Sequence, residues 1–294
     1  MTRQASKSMA ALWMAGWLGL MVIIAVAGRE AARELHLFQV MELRSTLGFL
    51  MLYPLIRAAG GFAAMKTTRP WSHIGRNVVH YTAQYCWFAA LLMIPIGQVV
   101  AIEFTMPIWI AILAAIFLGE RLNPGKVAAV VLGLIGVIVI VRPATGSVEP
   151  GQLIALAAAF GFAISITIVK SLTRIDSTLT IMFWMLIIQS TLGFFPALYV
   201  WHWPSTTGWI WIVVIAFCGT FSHYCMARAL TYADATIVIP MDFLRVPLTA
   251  TAGWLLYGER LDMYTVLGAA LILSGNLLNL RSAPRTPAAS KSTE

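Results

Sequence analysis

The chain alternates long apolar runs with short polar connections over almost its whole length. We place ten apolar segments, each close to the roughly 20 residues that cross a bilayer as a helix. Their approximate bounds are 9–28, 35–57, 74–94, 97–118, 124–141, 151–170, 177–200, 208–229, 236–257 and 263–281. The pattern predicts an all-α integral membrane protein with ten transmembrane helices, followed by a disordered cytoplasmic tail at 282–294 that is rich in Pro, Ser and Ala.

Composition excludes an ordinary soluble domain. Of the 294 residues, 60% are hydrophobic and only 11% are charged, whereas soluble domains carry about 25% charged residues. The net charge of +8 forms no basic stripe, so we expect no nucleic-acid partner. The three cysteines and five histidines show no ligand spacing, and we therefore predict no metal and no cofactor.

Lys and Arg residues favour one orientation in the membrane. With the N-terminus in the cytoplasm, most basic connections face inward, as cytoplasmic loops of membrane proteins do. This arrangement predicts a multi-pass inner-membrane protein with both termini cytoplasmic. The inward residues are Arg3, Lys7, Arg57, Lys66, Arg69, Arg76, Arg121, Lys126, Lys170, Arg174, Arg228, Arg281, Arg285 and Lys291, against Arg29, Arg33, Arg142 and Arg260 outside.

The second half of the chain repeats the first. A constant shift of 139 residues places 85–142 on 224–281 without a gap, including the tetrapeptide GERL at 119–122 and 258–261. We predict two five-helix repeats, at 8–142 and 151–281. Because each repeat has an odd number of spans, the second copy enters the membrane inverted, an arrangement that many secondary transporters use.

Two copies of one motif carry a family resemblance. The first has Pro107 before a helix that ends in LGERL, and the second has Pro247 before GERL. This pattern resembles the EamA-type branch of the drug/metabolite transporter superfamily over nearly the whole chain. The resemblance implies a ten-helix carrier whose central cavity is lined mainly by spans 1, 3, 4, 6, 8 and 9. The stretch 240–247 resembles a subset of the family that includes riboflavin importers.

Glu103 and Asp242 are repeat-equivalent carboxylates inside predicted spans. A charged residue in a span costs roughly 2.5–3.5 kcal/mol on insertion scales and is therefore a functional candidate. Counted from helix starts on opposite faces, the two carboxylates should differ by roughly 10 Å in depth. They suit gating, proton coupling or contact with a cationic substrate group, and the alternative is a fixed ion pair.

Two arginines break the symmetry of the repeat, since Arg245 corresponds to Met106 and Arg44 to Gln189. Arg245 follows Asp242 by three residues, so the two share a helix face and can neutralise each other. Pro240 and Pro247 should loosen the backbone there. Arg44 either binds an anionic group or forms a structural pair. We favour the pair, because span 2 is peripheral in the family's cavity.

Polar and aromatic side chains cluster on spans 3 and 8. Residues 81, 84 and 85 share one helical face, and Gln84 is repeat-equivalent to His223 as Tyr85 is to Tyr224. Flat rings with amide and imidazole groups suit a heteroaromatic or amine substrate. The candidate substrate-binding residues are Glu103, Asp242, Arg245, Tyr85, Gln84, Tyr81, His223, Tyr224 and Arg44.

These observations predict a secondary transporter or facilitator in the lipid bilayer that moves a small metabolite by alternating access, with its site near the midplane between the repeats. Riboflavin-like, S-adenosylmethionine-like and amino-acid or amine substrates all stay open. Protons as the coupling ion and a homodimeric state stay open as well. The alternatives are a non-transporting receptor or scaffold, and an intramembrane enzyme. We predict no catalytic residues, since the chain has neither an HExxH motif nor a P-loop.

Overall fold

The computed structural model describes residues 6–118, 124–142, 148–233 and 235–282. The predicted tail beyond 282 and the first GERL copy at 119–122 lie outside these ranges. Within them the chain forms a 3-10 helix at Gly61–Met65 and the α-helices α1 Lys7–Glu34, α2 Leu37–Ala58, α3 Pro70–Met93, α4 Ile96–Glu103, α5 Met106–Leu118, α6 Pro124–Val141, α7 Pro150–Leu172, α8 Thr178–Tyr199, α9 Thr206–Tyr232, α10 Ala235–Asp242, α11 Arg245–Tyr257 and α12 Met263–Ser282.

Seven helical stretches of the described chain are long and apolar enough to cross a membrane: Ser8–Glu34, Ile96–Leu113, Pro124–Val141, Pro150–Leu172, Thr178–Tyr199, Thr206–Tyr232 and Met263–Leu280. The prediction of a helical membrane protein is therefore confirmed. The helices α2 and α3 and the pair α10–α11 are not among the seven, and they carry most of the candidate polar residues. Polar side chains that serve a site lower the hydropathy of the helix that presents them.

Two of the predicted spans are interrupted. Helix α4 ends at Glu103 and α5 begins at Met106, while α10 ends at Asp242 and α11 begins at Arg245. A proline follows each break, and its ring clashes with the carbonyl group four residues earlier. The looser backbone expected at 240–247 is confirmed, but the sequence reading placed no break after Glu103.

The main helix contacts join the two halves of the chain. Helix α1 packs on α9, α3 on α7, α2 on α8 and α6 on α12. Small residues permit the last of these crossings, since a Cβ atom on Gly136 would lie 2.7 Å from the carbonyl oxygen of Gly268. Glycines on these helices therefore serve close packing.

The broken helices differ in their packing on either side of the break. Helix α4 packs on α11, with Gly97 so close to Ala250 that an added Cβ atom would lie 2.9 Å from the Ala250 Cα atom. The other halves diverge, because α5 packs on α7 and α10 packs on α1. We call the end of the bundle where α1 ends and α4 begins the far face.

Candidate functional site

A cavity of about 140 Å³ lies inside the bundle. Side chains from both halves of the chain line it, and they come from α1, α2, α3, α4, α7 and α9. They combine aromatic rings with a cation, an anion, an amide and an imidazole: Met21, Ile24, Arg44, His80, Gln84, Trp87, Phe88, Glu103, Phe162, Gly219 and Ser222. This is the mixture of apolar walls and few polar groups that small-molecule sites use.

Three charges form a triad at the breaks of the two interrupted helices. Arg245 Nη1 donates to Glu103 Oε1 at 2.9 Å, and Arg245 Nε lies 3.5 Å from Asp242 Oδ1. The Arg245 side chain is only 5% exposed. The predicted pairing of Asp242 with Arg245 is confirmed. The expected separation in depth of roughly 10 Å is wrong, because one guanidinium group contacts both carboxylates.

Two indoles add hydrogen bonds to the carboxylates of the triad. Trp87 Nε1 donates to Glu103 Oε2 at 2.9 Å, and Trp17 Nε1 donates to Asp242 Oδ1 at 2.6 Å. Each carboxylate therefore binds one tryptophan and the shared arginine. Neither tryptophan was among the candidate substrate-binding residues, because nothing in their spacing distinguishes them from the tryptophans that mark membrane interfaces.

The backbone breaks are also packed and bonded. The Arg245 guanidinium lies over the Phe104 ring at 4.8 Å from its centroid. Phe104 and Phe243, which follow the two carboxylates, meet edge to face with centroids 5.4 Å apart. The free carbonyl group of Phe104 accepts a hydrogen bond from Asn276 Nδ2 at 2.8 Å. Irregular backbone at this depth is thus buried in protein, as a membrane requires.

Arg44 points into the cavity from α2. No residue that the structure describes forms a hydrogen bond or an ion pair with its guanidinium. The nearby Glu42 forms no ion pair with it: Glu42 Oε1 accepts hydrogen bonds from Thr46 at 3.0 Å and from Ser190, and Glu42 Oε2 is buried without a partner among the described residues. The structural pair that we favoured for Arg44 is therefore not formed in the described chain, and α2 lines the cavity.

The remaining candidates on α3 occupy different environments. Gln84 lines the cavity, and its Oε1 atom is buried and has no hydrogen-bond partner among the described residues. Tyr81 is buried beside Gly193, near Glu42. Tyr85 packs against Phe38, with ring centroids 4.9 Å apart. Of these three residues, only Gln84 reaches the cavity.

The two candidates on α9 are not brought to the cavity. The side chain of His223 lies outside the part of the structure that is described. Tyr224 is 50% exposed and stacks on Phe221, with ring centroids 5.6 Å apart. It lines a separate apolar groove of about 670 Å³ between α2, α8 and α9. Gly219 and Ser222 are the residues of α9 that face the cavity instead.

A second ion pair closes the far face. Arg29 on α1 binds Glu259 and the carbonyl oxygens of Leu91 and Ile94. Glu259 in turn accepts a hydrogen bond from the backbone amide of Ile96 at 2.9 Å. The Glu259 side chain is only 15% exposed and joins α1 to the loop after α11.

Comparison with known proteins identifies the family. The EamA-like transporter family matches the chain twice, over residues 8–142 and 149–281. A riboflavin transporter of Rhizobium johnstonii is 34% identical over 238 residues, which cover 81% of this chain and 78% of that protein. An S-adenosylmethionine uptake transporter of Rickettsia prowazekii is 27% identical and is covered to 87%, as is this chain.

The same fold occurs in a protein of known crystal structure. The two chains superpose with a TM-score of 0.63 at 20% identity, over 93% of this chain and 97% of the other. This likeness concerns the fold alone. The family match and the relatives establish more: the chain belongs to the EamA-like transporter family, and it is a transporter of a small metabolite.

Proposed function

We propose that the chain carries its substrate through the central cavity by alternating access, as ten spans in two inverted five-helix repeats at 8–142 and 151–281. The two separate family matches and the constant shift of 139 residues support the repeat. The reciprocal pairings of α1 with α9 and α3 with α7 also fit a pseudo-two-fold arrangement. The excess of Lys and Arg on one side supports an inner-membrane protein with cytoplasmic termini.

The observation that carries this proposal is the cavity between the two halves of the chain, together with the close helix contacts at the far face. At the far face, α4 crosses α11 closely and Arg29 binds Glu259. On the other side of the breaks, α5 and α10 pack on different neighbours. We propose that this is the inward-facing state, and that the opposite state separates the far-face contacts.

The substrate class follows from the walls of the cavity. Trp87, Phe88 and Phe162 supply flat rings, while Gln84 and His80 supply hydrogen-bonding groups. We propose a heteroaromatic metabolite of the riboflavin or S-adenosylmethionine type, as the names of the two relatives suggest. The cavity is smaller than the roughly 300–1,000 Å³ of ordinary ligand sites, which fits a partly closed state without substrate.

The triad offers a route for coupling to protons. Protonation of Glu103 or Asp242 would remove one of the two charges that hold Arg245 in place. We propose that such a change loosens the contact between the two interrupted helices and so assists the transition. A facilitator that only equilibrates its substrate would not need this step.

Reconstitution into liposomes tests the proposal. Purified protein should take up radiolabelled riboflavin or S-adenosylmethionine above the level of empty vesicles. Glu103→Gln should lower that uptake at least tenfold, whereas Glu149→Gln is the matched control, because Glu149 is an exposed helix cap outside the cavity. Comparing uptake with and without an imposed pH gradient separates proton coupling from facilitated exchange.

Two other functions would give different results. A receptor or scaffold would bind one of these compounds without moving it across the vesicle membrane. An intramembrane enzyme would return a chemically altered compound, which mass spectrometry of the vesicle contents detects. Lack of uptake for both compounds and for a panel of amino acids and amines would contradict the carrier proposal.

A further inference from the structure

Arg44 is a cation at membrane depth without a counter-ion among the described residues. Buried charges in proteins are normally paired or hydrogen-bonded, because removing a charge from water is costly. Three arginines that are more buried than Arg44 all have partners. Arg245 binds two carboxylates and Arg29 binds one. Arg76 has no carboxylate partner among the described residues but donates a hydrogen bond to Asn77 Oδ1 at 2.8 Å.

The acids near Arg44 form no ion pair with it in the described chain. Glu42 lies two residues away, so the two side chains do not face each other on a helix. Its Oε1 atom accepts hydrogen bonds from Ser190 and Thr46, and its Oε2 atom is buried beside Gly193 without a partner among the described residues. Glu103 lines the same cavity, but both of its carboxylate oxygens are bonded, one to Arg245 and one to Trp87. No described carboxylate forms an ion pair with Arg44.

The surroundings leave the guanidinium accessible from the cavity. Arg44 lies against Gly219 on the facing helix α9, where even an added Cβ atom would stay in ordinary contact, 3.6 Å from Nε and 3.7 Å from Nη2. Arg44 also lines a narrow gap that continues from the cavity between α2, α8 and α9. A substrate in the cavity therefore contacts guanidinium N–H donors of Arg44 to which no described residue is bonded.

The scaffold does not require this charge. The repeat-equivalent residue of Arg44 is Gln189, which is 1% exposed and carries no charge. The neighbouring STLGF sequence is the same in both copies, at 45–49 and 190–194. The two helices thus share their packing sequence and differ at the position that faces the cavity in α2.

We infer that Arg44 binds an anionic group of the substrate, a carboxylate or a phosphate. The inference rests on the proposed function and specifies its substrate class. A guanidinium binds such groups through two parallel N–H donors, which fixes orientation as well as charge. The rings of Trp87, Phe88 and Phe162 then hold the aromatic part of the same molecule. The substrate is therefore a heteroaromatic metabolite with an anionic end.

Binding of matched probe pairs tests this inference without requiring transport. One pair is riboflavin 5′-phosphate and riboflavin, which differ by a phosphate. The other is S-adenosylhomocysteine and its methyl ester, which differ by a free carboxylate. Binding to purified protein in lipid nanodiscs is measured by calorimetry. The wild type should prefer the anionic member of at least one pair by about tenfold, the scale of one charge-assisted hydrogen bond.

Three variants assign the preference to Arg44. Arg44→Gln copies the residue of the second repeat and should abolish the preference while retaining the affinity for the neutral member. Arg44→Lys keeps the charge but loses the two-pronged geometry, so the preference should fall only in part. Arg57→Gln is the control, since Arg57 is exposed in the last turn of the same helix, and it should match the wild type.

The outcomes separate this inference from the carrier proposal. If the wild type shows no preference in either pair, or if Arg44→Gln keeps the preference, the inference is wrong. If the preference depends on Arg44 but neither anionic probe crosses the vesicle membrane, the binding inference holds and transport of these compounds fails. If uptake occurs equally for both members of a pair in all variants, the carrier proposal stands and Arg44 has no part in it.

Discussion

The bundle contains two arginines in opposite environments: Arg245 belongs to a triad of charges, whereas Arg44 stands alone, within the described chain, beside the cavity. Arg245 binds Glu103 and Asp242, and each of these carboxylates also accepts an indole hydrogen bond. Arg44 faces the cavity, and no described residue pairs with it. The first arrangement joins residues 142 positions apart in sequence, whereas the second leaves its donors available.

The difference separates structural charges from charges kept for a ligand. A network of ion pairs and hydrogen bonds holds the two interrupted helices in one relative position, and a change to any member leaves others unsatisfied. An unpaired guanidinium has no such partners to lose. Stability measurements on the two arginines therefore distinguish the two roles before any substrate is known.

We expect the largest loss of stability from Arg245→Met. It leaves two carboxylates buried near each other without a cation, and removal of one member of a buried pair costs about 3–5 kcal/mol. Thermal unfolding in detergent should show a clearly lower midpoint, with Arg245→Lys intermediate between the variant and the wild type. A midpoint equal to the wild type would mean that the triad is not a structural unit.

Glu259→Gln should have the next largest effect, at the far face. The glutamine side-chain oxygen still accepts a hydrogen bond from the backbone N–H of Ile96, but the charge that pairs with Arg29 is lost. A hydrogen bond to a charged group contributes about 1.5–3 kcal/mol. Hydrogen exchange should increase in the peptide that joins α3 to α4. Glu149→Gln serves as the control. Unchanged hydrogen exchange of the α3–α4 peptide in Glu259→Gln would contradict the role of the ion pair in closing the far face.

Trp17→Phe and Trp87→Phe should each have a smaller effect, and the two should be similar. Each keeps an aromatic ring but removes one indole donor from a carboxylate, a loss of about 1–3 kcal/mol for a buried acceptor. Thermal unfolding of both variants compares the two sides of the triad directly. A large effect from only one tryptophan would show that the network is not balanced about Arg245.

Arg44→Gln should have the smallest effect on stability. No described residue loses a partner, and changes that leave no group unsatisfied are usually within about 0.5 kcal/mol. The unfolding midpoint without substrate should equal that of the wild type or exceed it. A marked decrease would reveal a hidden structural partner and would remove the contrast with Arg245.

Local patterns in the sequence predicted much of the fold. Apolar runs gave the helices, and the breaker residues Pro240 and Pro247 gave the interruption at Asp242. Helical spacing also gave the pair of Asp242 with Arg245, because residues three apart share a face. These features are determined by residues that are close in sequence, and the spacing of apolar and polar residues along a helix predicts such local contacts.

The contacts of the site could not be predicted in the same way. The bonds from Trp17 to Asp242 and from Arg245 to Glu103 join residues 225 and 142 positions apart, so they depend on how helices pack. Tyr224 occupies an exposed groove although its repeat-equivalent Tyr85 packs inside the bundle. Equivalence between the two repeats predicts where a residue lies along its helix, but it does not predict which neighbouring helix that residue contacts.

Arg29 has a consequence for the energetics of the carrier. Its guanidinium bonds the carbonyl groups of Leu91 and Ile94, where α3 ends, and its partner Glu259 bonds the first amide of α4. The helix caps of α3 and α4 are thus supplied by other segments, and helix termini that lose their caps need new hydrogen-bond partners. When the far face opens, water must take over these caps, so hydration of two helix ends becomes part of the transport cycle.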